Sequence, residues 1–195
     1  MNNCLERDFI KFDSPFAVFE FSNLLSKHLS HSIYDYEETV VLCIGTDRST
    51  GDALGPLVGH KLEPHMFKYN NVHLIGTLDE PVHAKNLQDN IDKIKVCRPN
   101  AFILAIDASL GHNSCIGQII IKPGPLNPGL GVNKKLPAIG NLSITGVVNV
   151  GGLMEYMVLQ NTRLSLVMNM ANIIAKGIDI SLYKIYGSNL SKKTK

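Results

Sequence analysis

The chain has 195 residues, of which 45% are hydrophobic and 18% charged, and its formal net charge is +2. This length and composition describe one globular domain with a sizeable core and exclude a disordered chain. The small net charge excludes the strongly basic surface that nucleic-acid binding requires, so no nucleic-acid partner is expected.

The sequence shows neither a signal-peptide pattern nor a convincing membrane span. The opening residues, MNNCLERDFIKFD, carry several charges and no apolar stretch of signal-peptide length, so we expect a cytoplasmic protein. The most apolar stretch, residues 151–176, is interrupted by Glu155, Gln160, Asn161, Arg163 and Asn169, which argues against a membrane span. The cysteines are isolated from one another and form no C-x-x-C pair, which indicates neither a zinc site nor a disulfide framework.

Apolar periodicity predicts alternating helices and strands along the chain. Phe16, Phe21 and Leu25 lie near helical spacing and predict a helix over 15–30. The run Val40–Ile44 is wholly apolar and rich in β-branched residues, as in a strand covered on both faces. The other predicted elements are helices over 52–67, 83–95 and 152–175 and strands over 72–75, 101–106, 116–121 and 142–148.

The order of these elements predicts an α/β fold. We expect a three-layer α/β/α sandwich around a twisted, mostly parallel sheet of about five strands. Residues 1–39 are expected to form an N-terminal helical extension, residues 40–187 a single α/β domain, and residues 188–195 a disordered basic tail. The loop over 122–141 contains four prolines and four glycines. Loops of this length are usually functional or mobile.

Two aspartates stand out because each follows an apolar run that predicts a strand. Asp52 lies in GTDRSTGDALGP (45–56) and Asp107 lies in FILAIDAS (102–109). The carboxyl ends of parallel strands meet at one edge of a sheet, so we expect the two carboxylates to face each other across a cleft. Each aspartate also has a structural interpretation, Asp52 as a helix N-cap and Asp107 as the start of a turn.

A facing carboxylate pair has two chemical uses. Two carboxylates at close range do not both ionise easily, so one keeps a proton while the other can deprotonate an attacking water. Alternatively, the pair chelates a divalent metal, and a transition-metal site would usually add a histidine or cysteine.

The segments GTDRSTGDALGP and FILAIDAS, in this order and spacing, resemble the signature segments of the germination protease family of spore-forming bacteria. Those peptidases degrade small acid-soluble spore proteins, and the hydrogenase maturation proteases are their structural relatives. Within this superfamily the chain looks most like the YyaC-type sporulation proteins. PGLGVNKK and LSITGVVNV extend the resemblance, which covers roughly residues 40–152.

This resemblance implies that Asp52 and Asp107 match the two catalytic aspartates of the germination protease. It also implies a protein or peptide substrate, such as a small acid-soluble spore protein, and a location in the forespore or spore. In hydrogenase maturation proteases the same two positions bind nickel together with a downstream histidine. No histidine follows His112 in this chain, so the third ligand has no counterpart and neither a metal nor another cofactor is expected. The chain is also far shorter than the germination protease.

Further residues near the two aspartates are candidates for substrate binding. Glycines beside Asp52 allow close backbone approach, and small residues after Asp107 leave space beside it. A histidine opening a helix is also typical of a surface, and a loop lysine of a solvated turn. The candidates for substrate binding are Gly45, Thr46, Gly51, Glu80, His83, Ser109, His112 and Lys134.

These patterns favour a cytoplasmic peptidase in which Asp52 and Asp107 activate water. One alternative is a non-catalytic sporulation protein of the same fold that binds a protein or peptide partner. The other is a metal-dependent maturation protease. The sequence predicts no membrane partner and leaves the oligomeric state open, including a homo-oligomer.

Overall fold

The computed structural model describes residues 8–128 and 136–190 of the chain. Within these ranges the chain forms one mixed sheet with helices packed on both of its faces. The strands are β1 (Asp8–Lys11), β2 (Glu38–Cys43), β3 (Val72–Ile75), β4 (Ala101–Gly111), β5 (Gln118–Pro123) and β6 (Leu142–Val150). The helices are α1 (Ala17–Ser30), α2 (Leu54–Met66), α3 (Leu87–Cys97), α4 (Glu155–Gln160) and α5 (Leu164–Leu190).

The sheet has the strand order β1-β5-β6-β4-β2-β3. The strands β3, β2, β4 and β6 run parallel, whereas β5 is antiparallel to both β6 and β1. The predicted α/β class and the mostly parallel sheet are therefore confirmed. β2 is a central strand, as its apolar sequence predicted, and residues 40–43 are fully buried.

Two apolar cores lie on opposite faces of the sheet. On one face, α1, α2 and α5 pack against residues such as Val41, Phe102 and Ile106. On the other face, α3 packs through Leu87, Ile91 and Ile94 against a second cluster of buried side chains. Alternate residues of the central strands point to opposite faces, so each strand contributes to both cores. This arrangement confirms the three-layer sandwich.

The sheet has a sixth strand that the sequence analysis did not predict. Residues 8–11 form β1, which pairs with β5 through the register from Asp8 with Ile121 to Lys11 with Gln118. Four residues carry too little periodicity to indicate a strand by themselves. Together with α1, which packs against α5, β1 joins the N-terminal segment to the sandwich.

Several element boundaries differ from the prediction. The helix expected over 152–175 is two helices, because Asn161 and Thr162 bond through their side chains to the carbonyls of Met157 and Val158. Such bonds compete with a continuous helix. The helix expected from residue 83 begins at Leu87, after a turn in which the His83 N–H donates to Asn86 Oδ1 at 2.8 Å.

The second of the two helices, α5, is long enough to reach into the predicted basic tail. It runs to Leu190, and residues 191–195 lie outside the described residues. Across the described ranges, no helix combines the length and apolarity needed to cross a membrane.

The contact between α1 and α5 relies on small residues. Phe21 of α1 is fully buried, and a methyl group on Gly177 of α5 would collide with its ring. Beside it, the Ser181 hydroxyl donates to the Gly177 and Ser22 carbonyls at 2.8 and 3.1 Å. The two helices can approach this closely only because α5 presents no side chain at residue 177.

We expect Gly177→Ala to lower the free energy of unfolding by about 1–2 kcal/mol, because overpacking the Phe21 ring outweighs the gain in helix propensity. The matched control is Gly187→Ala in the same helix, where a new methyl meets only the mobile Tyr183 ring. This control should be neutral or gain up to about 1 kcal/mol. Urea unfolding of the three proteins measures both effects, and equal behaviour of the two variants would contradict the packing described.

Candidate active site

Asp107 lies inside strand β4 and not at its end. β4 pairs with β2 only as far as Cys43 with Ile106, but it continues alongside β6 to Gly111. Asp107 is therefore the first residue of β4 beyond the end of β2. Its side chain is only 5% exposed and accepts the Ala108 N–H at 2.8 Å. The prediction that the strand ends at residue 106, with Asp107 starting a turn, is wrong because pairing with β6 carries the strand onward.

Asp52 is held at the end of β2 by its own backbone. The Thr46 N–H donates to the Asp52 carbonyl at 3.1 Å, which closes the loop over 46–51. Gly45 has a φ of +143°, and a side chain there would collide with the Asp52 carbonyl. Asp52 belongs to a short 3-10 turn, and α2 starts at Leu54 without a side-chain cap. Its carboxylate is therefore free of the N-cap role that was the structural alternative.

Burial makes both carboxyl groups harder to ionise. Desolvation raises the pKa of Asp107 well above its ordinary value, and the negative charge of Asp52 raises it further. Desolvation also raises the pKa of Asp52, but a backbone hydrogen bond from Thr46 and the charge of His83 oppose the rise. The two carboxyl groups are thus within electrostatic range of each other, and the stronger rise in pKa is that of Asp107.

His83 reaches this site through an isolated bridge between Ile44 and Val82. The Gly45 N–H donates to the Val82 carbonyl at 2.8 Å, which fixes the segment after β3 beside the end of β2. His83 Nδ1 lies 3.3 Å from the Lys85 N–H and can accept it, which leaves Nε2 for another partner. Of the predicted histidines, His83 is the one that interacts with Asp52.

The other predicted site residues divide into two groups. Gly51 immediately precedes Asp52, and Ser109 follows Asp107 at an irregularity between residues 109 and 110 of β4. Glu80, by contrast, is exposed, and its backbone N–H and carbonyl bond to Thr77. His112 is exposed and bonds through Nδ1 to the Ser114 hydroxyl at 2.9 Å and to the Ser114 N–H. It caps the turn after β4, and no interaction with the aspartates is found.

Lys134 lies outside the described residues, so its predicted role in substrate binding is not assessed by the structure. The ends of its loop are described. Leu126 and Ile139 exchange both backbone hydrogen bonds, at 2.9 and 3.0 Å, and both side chains join the core on the α3 face.

Ser49 is a candidate that the sequence analysis missed. It lies in the loop between Thr46 and Asp52, is only 6% exposed, and its hydroxyl has no hydrogen-bond partner among the described residues. A buried hydroxyl without a partner is uncommon in proteins, and a bound group can supply the missing bond. A serine outside any nucleophile motif gives no sequence signal of this kind.

The site does not offer the ligands of a transition-metal centre. In the described part of the chain, no three His, Cys, Asp or Glu side chains group where one ion could be held. Two carboxylates are a smaller donor set than transition-metal sites in proteins usually have. The two aspartates therefore suit proton transfer better than the coordination of a transition metal.

Comparisons with known proteins agree with the fold. The family described as "Protein of unknown function (DUF1256)" matches residues 9–177. "Uncharacterized protein YyaC" of Bacillus subtilis (strain 168) is 55% identical over 142 residues, which are 73% of this chain and 68% of that protein. Among solved structures, the [NiFe] hydrogenase maturation protease HycI from Thermococcus kodakarensis KOD1 superimposes with a TM-score of 0.52 at 19% identity. The match covers 82% of this chain and 98% of HycI.

The raised pKa of Asp107 leads to a pH-dependent stability difference. A carboxyl whose pKa is raised on folding stabilises the protein below its unfolded pKa, and that contribution is lost as the pH rises through the folded pKa. Asp107→Asn keeps an oxygen for the Ala108 N–H but cannot ionise. We expect the variant to gain stability over the wild type as the pH rises from about 4 to about 8, by about 1.4 kcal/mol for each unit of the shift.

Thermal unfolding across this pH range measures the gain. Asp79→Asn is the matched control, because Asp79 is exposed in the loop after β3. This control should not reproduce the pH-dependent gain, because it leaves the buried Asp107 carboxyl in place. A pH-independent difference for Asp107→Asn would contradict the buried, charge-coupled state of this carboxyl.

Proposed function

Because the chain belongs to the DUF1256 family and has a hydrogenase maturation protease fold, we propose that it is a peptidase of the germination-protease type. It hydrolyses peptide bonds with the Asp52–Asp107 pair and acts in sporulation or germination, in the forespore or spore. The observation that supports the proposal is the buried Asp107 carboxyl, whose pKa is raised by desolvation and further by the charge of Asp52. Among the described residues, neither carboxyl group caps a helix or forms an ion pair.

The two aspartates take different roles because their surroundings differ. Desolvation raises the pKa of Asp52, but the Thr46 hydrogen bond and the charge of His83 oppose the rise, so Asp52 is the group of the two that ionises more readily. Asp107 holds its proton more strongly, since desolvation and the charge of Asp52 both raise its pKa. The ionised Asp52 is therefore the general base and the protonated Asp107 is the general acid.

The reaction needs no other reactant than water. Asp52 takes a proton from a water molecule, the water oxygen bonds to the peptide carbonyl carbon, and Asp107 gives its proton to the carbonyl oxygen. In the second step the carbon–nitrogen bond breaks and Asp52 passes its proton to the leaving nitrogen. A hydroxyl of the tetrahedral intermediate returns a proton to Asp107, which restores the starting state.

A second candidate function is a non-catalytic sporulation protein that binds a protein or peptide partner in the same cleft. The same fold could carry such a binding function, because the family match and the fold similarity do not depend on catalysis. What favours hydrolysis is the buried carboxyl pair, because desolvating two acids costs stability without helping a binding site.

We expect Asp52→Asn and Asp107→Asn each to lower peptide cleavage by about 100-fold or more, since each removes a proton-transfer group. Glu63→Gln, which changes an exposed carboxyl near the end of α2, should cleave like the wild type. The assay uses a panel of peptides and small acid-soluble spore proteins, with cleavage followed by mass spectrometry. Wild-type protein that binds members of the panel without cleaving any of them would favour the binding protein.

Cleavage by the wild type should have a bell-shaped pH profile. Activity falls at low pH as Asp52 takes up a proton, and at high pH as Asp107 loses its proton. The apparent pKa values of the two limbs are properties of the coupled pair. Each Asn variant should therefore lose the bell shape and not merely shift one limb. A rate that rises steadily with pH would contradict the assignment of Asp107 as an acid.

The third alternative, a metal-dependent maturation protease, has its own test. We expect the purified protein to carry less than one equivalent of nickel or zinc, because the described residues offer no third ligand beside the aspartates. Elemental analysis measures this directly. One equivalent of metal in the wild type that is lost in Asp52→Ala would make the metal-dependent protease the better explanation.

A further inference from the structure

The segment 153–157, which follows β6, exposes four large apolar side chains. They form what we call the apolar shelf, and their exposed fractions lie between 48% and 93%. Soluble proteins rarely expose contiguous apolar groups without using them for binding. The residues of the apolar shelf are Leu153, Met154, Tyr156 and Met157.

Side-chain hydrogen bonds connect β6 to the helix that carries part of the apolar shelf. Asn149 of β6 donates through Nδ2 to the Val158 carbonyl at 3.3 Å and to the Thr162 hydroxyl at 3.2 Å. Met154 has a φ of 58° and is the only non-glycine residue with positive φ in the described part of the chain. This conformation costs about 1–2 kcal/mol for such a residue, and strain of this kind concentrates at binding and catalytic sites.

The shelf is continuous with the candidate active site through α4. Gly51, the neighbour of Asp52, packs so tightly on this helix that a methyl group there would lie 2.8 Å from the Leu159 side chain and from the Thr162 hydroxyl. The turn that carries Asp52 and the helix that carries the shelf are therefore in direct contact. The shelf is thus an exposed apolar surface on the helix that packs against the turn carrying Asp52.

Charge around the site selects among apolar partners. In the described loops that follow β2, β3 and β6, up to the start of α5, acidic side chains outnumber basic ones. The acidic residues are Asp47, Asp52, Asp79, Glu80 and Glu155, and the basic residues are Arg48, His83, Lys85 and Arg163. Acidic residues in a bound peptide would be repelled, whereas basic residues would be attracted.

We propose that the apolar shelf binds the substrate of this site, an extended peptide segment with large apolar side chains flanked by basic residues. The inference rests on the proposed peptidase function for its biological meaning, but it concerns binding and can be measured without cleavage. Methionines suit this role because their flexible side chains adapt to different apolar partners.

The test measures peptide binding by fluorescence anisotropy in the full-length Asp107→Asn protein, where a bound peptide is not cleaved. The probe is a short fluorescein-labelled peptide with a run of leucines and phenylalanines between lysines. Two matched probes replace the lysines with glutamates or the apolar residues with serines. We expect the first probe to bind at least about tenfold more tightly than either of the others.

The shelf is then tested by substitution. Leu153→Ser combined with Met157→Ser should weaken binding of the first probe at least about tenfold. Val96→Ser, an exposed apolar residue on α3, is the matched control and should bind like its parent. Equal binding of all probes, or equal affinity of the shelf variant and the Val96 control, would overturn the inference.

The same proteins separate this inference from its alternatives. Sedimentation of the wild type and the shelf variant reports whether a second copy of the chain covers the shelf. A dimer that dissociates in the shelf variant, with probe affinity unchanged, would also overturn the inference. If the wild type binds the first probe through the shelf but cleaves no peptide, the proposed hydrolysis fails and the binding surface stands.

Discussion

The unequal lengths of two neighbouring strands determine where the candidate site lies. β4 loses its partner β2 after Ile106 but keeps β6 as a partner to Gly111. Beyond Ile106, β4 therefore has no strand partner on the side of β2. Asp107 is the first residue of this stretch, and the chain leaving β2 turns through Gly45 and returns to Asp52, whose carbonyl accepts the Thr46 N–H. The burial of one acid, the proximity of the other and the distinction between their roles all follow from this geometry.

The bridge between Ile44 and Val82 brings the segment after β3 to the end of β2. It brings His83 toward Asp52, whereas Glu80, three residues earlier, remains in solvent. The two carboxyl groups thus differ in their neighbouring groups as well as in their burial. One has a backbone donor and an imidazole nearby, and the other has only a neighbouring N–H. A symmetric pair would leave the choice of base and acid undetermined.

The sequence predicted the architecture well, because long apolar runs such as 40–44 and 101–106 report burial directly. It also singled out both aspartates, since each follows such a run. It did not predict β1, because four residues cannot display a period. It ended β4 too early at Asp107, since a charged residue in a strand looks like a terminus unless the longer partner β6 is known. Ser49 and the apolar shelf escaped for a related reason, because exposure and a missing hydrogen bond depend on tertiary contacts.

The close contact between α1 and α5 has a consequence for how the protein is made. The Ser181 hydroxyl and its acceptor at Ser22 are 159 residues apart in the chain. During synthesis all six strands leave the ribosome before α5 can cover α1 and this face of the sheet. Until then the buried side chains of α1, Phe21, Leu25 and Leu29 among them, have no helix to pack against. Nascent chains of this fold therefore expose a large apolar surface late into translation, and they depend on chaperones or rapid completion to avoid aggregation.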